Sequence, residues 1–360
     1  MFHGWRVITR QPLNNPLSTA TKVGGPNPRV PGIFSGMNTK LMLTATTRGD
    51  WFTRADACAA GYSDADINKR VTSGRWVRLT RGAYAEPGPD VASMAAWDRA
   101  VWLHQRAAKA VYHRLGGRAV VSHQSALLLY GVRVSELDLR RVHVTRTSGA
   151  GRSGPTVSQH AARPPVDESV ELDGVRLTRG ARAVVEAVRA TSYPVAVSAV
   201  DQAVRCRVAD AQQLASALRL FANRPGINTA IRAVLFADGL SESVGESRLR
   251  VLLADLGLPA PTLQAEIRDQ NGVLVARVDF LLAWCGVVIE FDGAVKYGDG
   301  SPETLIAEKI REDRLRDLGY QVVRVCWADL TRPAEVLARI RRAIGRSQPG
   351  SIAGYVTAAR

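Results

Sequence analysis

Asp279, Glu290 and Asp292 share one apolar stretch, Arg277-Val-Asp-Phe-Leu-Leu-Ala-Trp-Cys-Gly-Val-Val-Ile-Glu-Phe-Asp292, with Lys296 four residues further on. Read as two strands joined by a turn near Trp284-Cys285, the stretch has a simple register. Ala283 faces Gly286, which sets Asp279 opposite Glu290. Opposed residues of an antiparallel pair have Cβ atoms roughly 4.5–5.5 Å apart, and alternation puts Asp292 on the face of Glu290. Carboxylates this close repel unless a proton or a cation sits between them. Mg²⁺ or Mn²⁺, hard cations with oxygen ligands, are the occupants such a set implies. The alternative is a solvated strand end carrying unrelated acids.

The surrounding elements would hold such a hairpin. Ser243-Val-Gly-Glu246 leads into a helix with Leu249, Leu252, Leu253 and Leu256 on one face, closed by Gly257 and Pro259. Strands follow at Thr262–Arg268, Gly272–Leu282 and Val287–Asp292, then a loop to Ser301 and a helix from Pro302 to Leu318. The apolar strand Gln321–Trp327 and a helix over Pro333–Ile344 complete an α-β-β-β-α-β-α order. A short mixed sheet flanked by helices is expected, with Val322, Val323 and Val325 at its centre.

A chain of 360 residues with 46% apolar content predicts two or three globular domains. The longest apolar run, Phe280 to Ile289, is far short of the roughly 20 residues that cross a bilayer. The first residues lack the pattern of a secretory signal, and a reducing cytoplasm fits the scattered Cys58, Cys206, Cys285 and Cys326. No CxxC pair or local Cys/His cluster exists, which argues against a zinc site. The net charge of +15 suggests a polyanionic partner, although arginine-rich composition from a GC-rich genome would give the same charge on solvated faces.

Along the chain, residues 1–37 read as a disordered extension rich in Pro and Gly. Over 38–88, Thr53 caps a helix through Ala60, and Ser63-Asp-Ala-Asp66 opens another through Ser73. Arg75-Trp-Val-Arg-Leu-Thr-Arg-Gly-Ala-Tyr84 then alternates around a Gly turn. That order is a winged helix-turn-helix, whose second helix enters the major groove. Candidate DNA contacts are Asp66, Asn68, Lys69 and Arg70 on the helix and Arg75, Arg78 and Arg81 on the wing; the alternative is a small protein-docking module. Residues 89–240 read as a mixed helix and strand domain in which His123 is a capping or core histidine, and no phosphate-cradling glycine loop occurs. The C-terminal domain spans 241–345 and a tail 346–360, giving an α/β, α+β multidomain chain.

The C-terminal order, with its helical acid and hairpin carboxylates, resembles the PD-(D/E)xK nuclease superfamily, in the branch related to very-short-patch-repair endonucleases. Glu290-Phe-Asp292-Gly293, Arg311-Glu-Asp-Arg314-Leu-Arg and Gly319-Tyr-Gln-Val-Val-Arg324-Val-Cys-Trp327 carry the likeness, which covers about Val244 to Ile344. The string Gly74 to Tyr84 resembles the winged-helix domain of AbiEi-family antitoxins. Leu177-Thr-Arg-Gly-Ala-Arg-Ala-Val-Val-Glu186 looks like the segment joining such modules in actinobacterial proteins.

The first resemblance implies an αβββαβ restriction-endonuclease-like domain and Mg²⁺- or Mn²⁺-dependent hydrolysis of phosphodiesters in phage defence or DNA repair. Asp279, Glu290 and Glu246 would be the metal ligands, with Asp292 and Lys296 completing the catalytic set. The family's E-x-K lysine position holds Asp292 here, so Lys296, or less directly Lys309, must supply the ammonium that stabilises transition-state charge. The second resemblance implies instead a non-catalytic DNA-binding antitoxin or regulator, with a degenerate nuclease fold and a toxin as partner. DNA is the partner in both readings, with no membrane; a homodimer stays open.

Overall fold

The computed structural model describes residues 36–149, 151–161, 168–293 and 302–357. Nearly all of the expected 1–37 extension, and Lys296, lie outside the described residues. The chain is a mixed α/β protein with three sheets among those residues.

The first sheet belongs to an N-terminal group: α1 (Thr39–Thr47), β1 (Phe52–Thr53), α2 (Arg54–Ala59), α3 (Asp64–Thr72), β2 (Val77–Thr80) and β3 (Ala83–Ala85). Reciprocal capping boxes start the second and third helices: Thr53 with Asp56, and Ser63 with Asp66. Each satisfies orphan helix donors that water would otherwise have to meet. The three strands run antiparallel in the order β1-β3-β2, and Gly82 takes the positive φ that the hairpin turn needs. Phe52, Ile67, Trp76 and Tyr84 fill the core, with Phe52 edge-on to Trp76 at 4.7 Å between centroids.

The middle of the chain contributes α4 (Pro89–Ser93), α5 (Ala96–Leu115), β4 (Ala119–Val121), α6 (His123–Leu129), β5 (Val142–Arg146), β6 (Val157–His160), β7 (Ser169–Leu172) and β8 (Val175–Thr178). Four helices follow: α7 (Gly180–Val188), α8 (Tyr193–Arg205), α9 (Ala211–Leu220) and α10 (Ile227–Phe236). The sheet order is β6-β5-β4-β8-β7, with parallel β5/β6 and β4/β8 pairs and antiparallel β4/β5 and β7/β8 pairs. A core of small aliphatic residues, Val120, Val121 and Val144 among them, explains the Ala- and Val-rich composition. His123 begins α6 as a buried residue at φ 54°, so its expected core placement holds. It does not stand alone, because His143 on β5 and His160 on β6 pack against it.

The third sheet is built from α11 (Val244–Asp255), β9 (Thr262–Arg268), β10 (Leu274–Leu282), β11 (Val287–Asp292), α12 (Pro302–Asp317), β12 (Gln321–Cys326), α13 (Pro333–Arg346) and β13 (Tyr355–Thr357). Its order is β12-β11-β10-β9-β13, with β12 parallel to β11. Two expectations change. First, β12 is an edge strand, not the centre; its valines are covered because helices lie on both faces, with Val323 and Val325 in one core and Val322 against the other. Second, residues of the expected 346–360 tail supply β13, which pairs with β9. α11 ties the sheet to the middle of the chain. Leu249 and Leu253 enter the core of the third sheet, Val251 enters the middle core, and Arg250 reaches both carboxylate oxygens of buried Asp201 on α8 at 2.8 and 2.6 Å.

Candidate nucleic-acid interface and carboxylate cleft

On the N-terminal group, Asn68 and Lys69 of α3 and Arg75, Arg78 and Arg81 around the β2–β3 hairpin are exposed, Arg78 with its guanidinium 5.9 Å from the Tyr84 ring. Two expected contacts are committed elsewhere. Asp66 accepts from the Ser63 backbone N–H and hydroxyl at 2.9 and 2.6 Å as the helix cap, which holds its carboxyl below the usual range. Arg70 is half-buried, its guanidinium over the rings of Tyr62 (4.9 Å) and Trp76 (5.2 Å). It reads as a packing residue, because base-edge contact would break two cation–π interactions. The β2–β3 hairpin is braced by α5, from which Arg114 donates to Thr80.

The hairpin acids lie where two strands part. The β10/β11 ladder runs from Leu282↔Val287 to Phe280↔Ile289. Asp279 and Glu290 are the next positions in that register, but the Phe291 N–H donates to the Asp279 carboxylate at 2.8 Å. Alternation also breaks in β10: Ala276 and Val278 pack toward α12, whereas Phe280 and Leu282 pack on the opposite face. Opposite Asp279 on β9, Gln264 takes φ 51°, rare for a residue with a side chain. The kink turns its amide into the sheet, where Nε2 donates to Glu246 at 3.0 Å. Gln264 is a site residue that sequence reading missed, since only the backbone kink aims it there.

Glu246 is 7% exposed, and its Oε2 also accepts the Glu242 N–H at 2.8 Å. Burial, then the neighbouring Asp279 charge, push its carboxyl up to about 7. Burial likewise raises Asp279; the Phe291 N–H opposes this, and Glu290 adds to it. Glu290 differs. Arg311 of α12 clasps both of its oxygens at 2.8 and 3.1 Å, and Arg324 lies 4.0 Å away, itself paired to Glu308 and Glu312. Glu246, Asp279, Glu290 and Asp292 open together into a cleft of ≈ 910 Å³, whose far wall includes Trp97 and Arg133 from the middle of the chain. Lys309 is exposed on α12, and among the described residues the cations on Glu290 are Arg311 and, further off, Arg324.

Glu246 is buried and Asp279 half-buried; the Asp279 charge adds to the rise at Glu246 and the Glu290 charge to that at Asp279, a repulsion that a divalent ion on Glu246 and Asp279 would relieve. Glu290 could join only if Arg311 withdrew.

Residues 41–87 match the family described as transcriptional regulator, AbiEi antitoxin. That segment covers α1 to β3, so the likeness read from Gly74–Tyr84 holds for the N-terminal group. Two Mycobacterium tuberculosis chains, the uncharacterized proteins Rv2248 and MT2308, are each 29% identical over 283 residues, spanning 78% of this chain and 97% of theirs. A crystal structure of the Mycobacterium tuberculosis protein RV2827C aligns over 58% of this chain and 78% of its own, at 14% identity and a TM-score of 0.35. Among the described residues no helix is long and apolar enough to cross a membrane.

Proposed function

We propose that this chain is a DNA-binding regulator of the AbiEi antitoxin kind, reading DNA through a winged helix-turn-helix over 38–88. The match of residues 41–87 to that family carries the reading. The exposed Asn68, Lys69, Arg75, Arg78 and Arg81 support it, because phosphate neutralisation by cations on one face supplies most non-specific DNA affinity. Arg70 contributes by holding Trp76 and Tyr62 beneath that face. A toxin is the protein partner this reading implies. Fluorescence anisotropy on a labelled fragment from upstream of the gene is the direct test. Sequence-preferring binding that survives physiological salt is expected; binding no tighter than to an unrelated duplex would overturn the reading.

A second reading is favoured by Glu246, a buried acid whose pKa is raised by burial and by the Asp279 charge, since such perturbed acids in a cleft are a functional-site signature. In it the chain also hydrolyses phosphodiesters in the cleft. Glu246 and Asp279 would hold Mg²⁺ or Mn²⁺, which supplies Lewis acidity and a bound water of lowered pKa. Arg311 and Arg324 then stand where negative charge develops on the phosphate, a role the resemblance gave to a lysine. Asp292 serves as an additional acid at the rim. Metal-dependent cleavage of DNA that is lost in Asp279→Ala is the expected observation. Cleavage unchanged in Asp279→Ala would assign it to a contaminant.

A further inference from the structure

The middle of the chain holds a cluster that neither reading uses. His123, His143 and His160 come from the start of α6, from β5 and from β6, and one ring nitrogen of each lies within 4.8 Å of the others. We propose that these three imidazoles form a binding site for a borderline divalent transition metal, Zn²⁺ being the probe of choice.

Three neutral imidazoles suit zinc and its first-row neighbours, whereas hard cations prefer oxygen. Tetrahedral zinc, with Zn–N near 2.0–2.1 Å, sets its ligand atoms roughly 3.3 Å apart. His143 Nδ1 and His160 Nε2 are already 3.0 Å apart. The rings of His123 and His160 stack at 3.9 Å between centroids, so opening that stack is the main adjustment. Burial lowers the pKa of all three rings, neighbouring imidazoles adding to this at His123 and His143 and the Arg189 charge at His160.

Metal-bound histidines hand their other ring N–H to a carboxylate, carbonyl or hydroxyl, which fixes the tautomer. His123 Nδ1 faces the Ser122 hydroxyl at 3.0 Å and the buried Glu186 carboxylate at 3.6 Å, leaving Nε2 for a metal. The Gln124 NH₂ donates to His143 Nε2 at 3.0 Å and to the Asp138 carbonyl, so a metal at Nδ1 requires the Gln124 amide to turn over and accept the Nε2–H. Glu186 also pairs with Arg182 at 2.9 Å, so the nearby guanidiniums are partly balanced. Ser122, His123 and Glu186 cannot form a hydrolytic triad, because hydroxyl and carboxylate both address the same ring nitrogen.

His123 sits at φ 54° inside a buried helix start, with its N–H directed at Glu186 at 3.4 Å. Backbone kept in that region is sustained only where the surroundings over-determine it, as at ligand clamps. A metal here would staple the edge strand β6 and β5 to α6.

The test uses full-length protein without a histidine tag, stripped with a chelator, dialysed and titrated with Zn²⁺ or Co²⁺. One equivalent of zinc retained per chain is expected, with the visible absorption of Co²⁺ in a nitrogen-rich tetrahedral field. His160→Gln lies on an edge strand and is half-buried, so its fold can be verified by circular dichroism. It should weaken zinc binding by more than the roughly 10–100-fold that even an outer-sphere loss costs. His113→Gln, at an exposed histidine of α5 outside the cluster, should leave zinc affinity unchanged. Zinc binding that is absent, indifferent to His160→Gln, or abolished by His113→Gln would overturn the proposal and leave a hydrogen-bonded histidine cluster.

Discussion

Glu246→Gln separates a protonated, cation-seeking carboxyl from an ordinary buried one. In the wild type, Oε2 accepts from the Glu242 N–H and from Gln264 Nε2, so Oε1 is the oxygen that takes a proton. A glutamine can put its carbonyl where Oε2 was, keep both hydrogen bonds, and stand its NH₂ in for the protonated oxygen. The folded pKa, about 7 against the ordinary 4.5, lies above the unfolded one. The stability Glu246 contributes is therefore fully present below about pH 4.5 and is lost as pH rises through about 7. At about 1.4 kcal/mol per pH unit, that loss amounts to about 3 kcal/mol. Urea unfolding in EDTA should show near-equal stability for the two proteins at about pH 4.5. The variant should lead by about 3 kcal/mol at about pH 8, seen as a midpoint difference at constant slope. Adding Mn²⁺ at the higher pH should restore the wild type and leave the variant unmoved if the cleft binds metal. A gap that stays constant across that pH range would refute the raised pKa and the reasoning built on it.

Three further outcomes are expected. Replacing Arg75, Arg78 and Arg81 together by alanine should weaken DNA binding. It should also flatten the plot of log affinity against log salt by roughly 0.9 for each phosphate no longer neutralised, measured by anisotropy across a salt series. Gly245→Ala should destabilise although alanine favours helices. Its Cβ would fall 1.9 Å from the Phe291 ring, and overpacking of about 1–3 kcal/mol outweighs a helix gain of about 1 kcal/mol; a variant with raised thermal stability would refute the close approach. Asp201→Ala should cost about 3–5 kcal/mol in thermal unfolding, because it leaves the Arg250 guanidinium, 7% exposed, buried without its carboxylate.

Much of this arrangement is legible in the sequence because local rules decide it. Thr53 and Ser63 stand as caps where their side chains serve orphan N–H groups, and the hairpin register that pairs Phe280 with Ile289 follows from its turn. The aromatic and basic alternation of Gly74–Tyr84 places Trp76 in the core and Arg75 and Arg78 in solvent. What escaped is tertiary. Arg70 reads as one more exposed cation until Tyr62 and Trp76 fold around it. The run Gln321–Cys326 reads as a central strand because helices cover both its faces, a pattern sequence cannot tell from true centrality. Gln264 has no motif at all: a positive φ in the middle of β9 aims it at Glu246. His123, His143 and His160 are separated by far more than a metal-ligand motif, and only the parallel pairing of β5 with β6 beside α6 unites them.

The cleft and the β2–β3 hairpin pose different chemical problems, and the charge pattern answers each separately. At the β2–β3 hairpin, Arg75, Arg78 and Arg81 are exposed and, although Arg75 acts on Glu86 and Arg78 lies over Tyr84, form no salt bridge within 4 Å among the described residues, which suits a polyanion arriving from outside. In the cleft the cations beside the acids are already paired: Arg311 with Glu290, Arg324 with Glu308 and Glu312, Arg277 with Glu242. A phosphate entering there must compete with those carboxylates. Glu246 and Asp279, which accept from backbone and amide N–H groups and pair with no arginine among the described residues, are the groups that repel it. Neutralising those two acids is therefore the condition for the cleft to act on nucleic acid at all. Metal dependence of the DNA affinity that remains with Arg75, Arg78 and Arg81 replaced shows whether the cleft takes part in nucleic-acid binding.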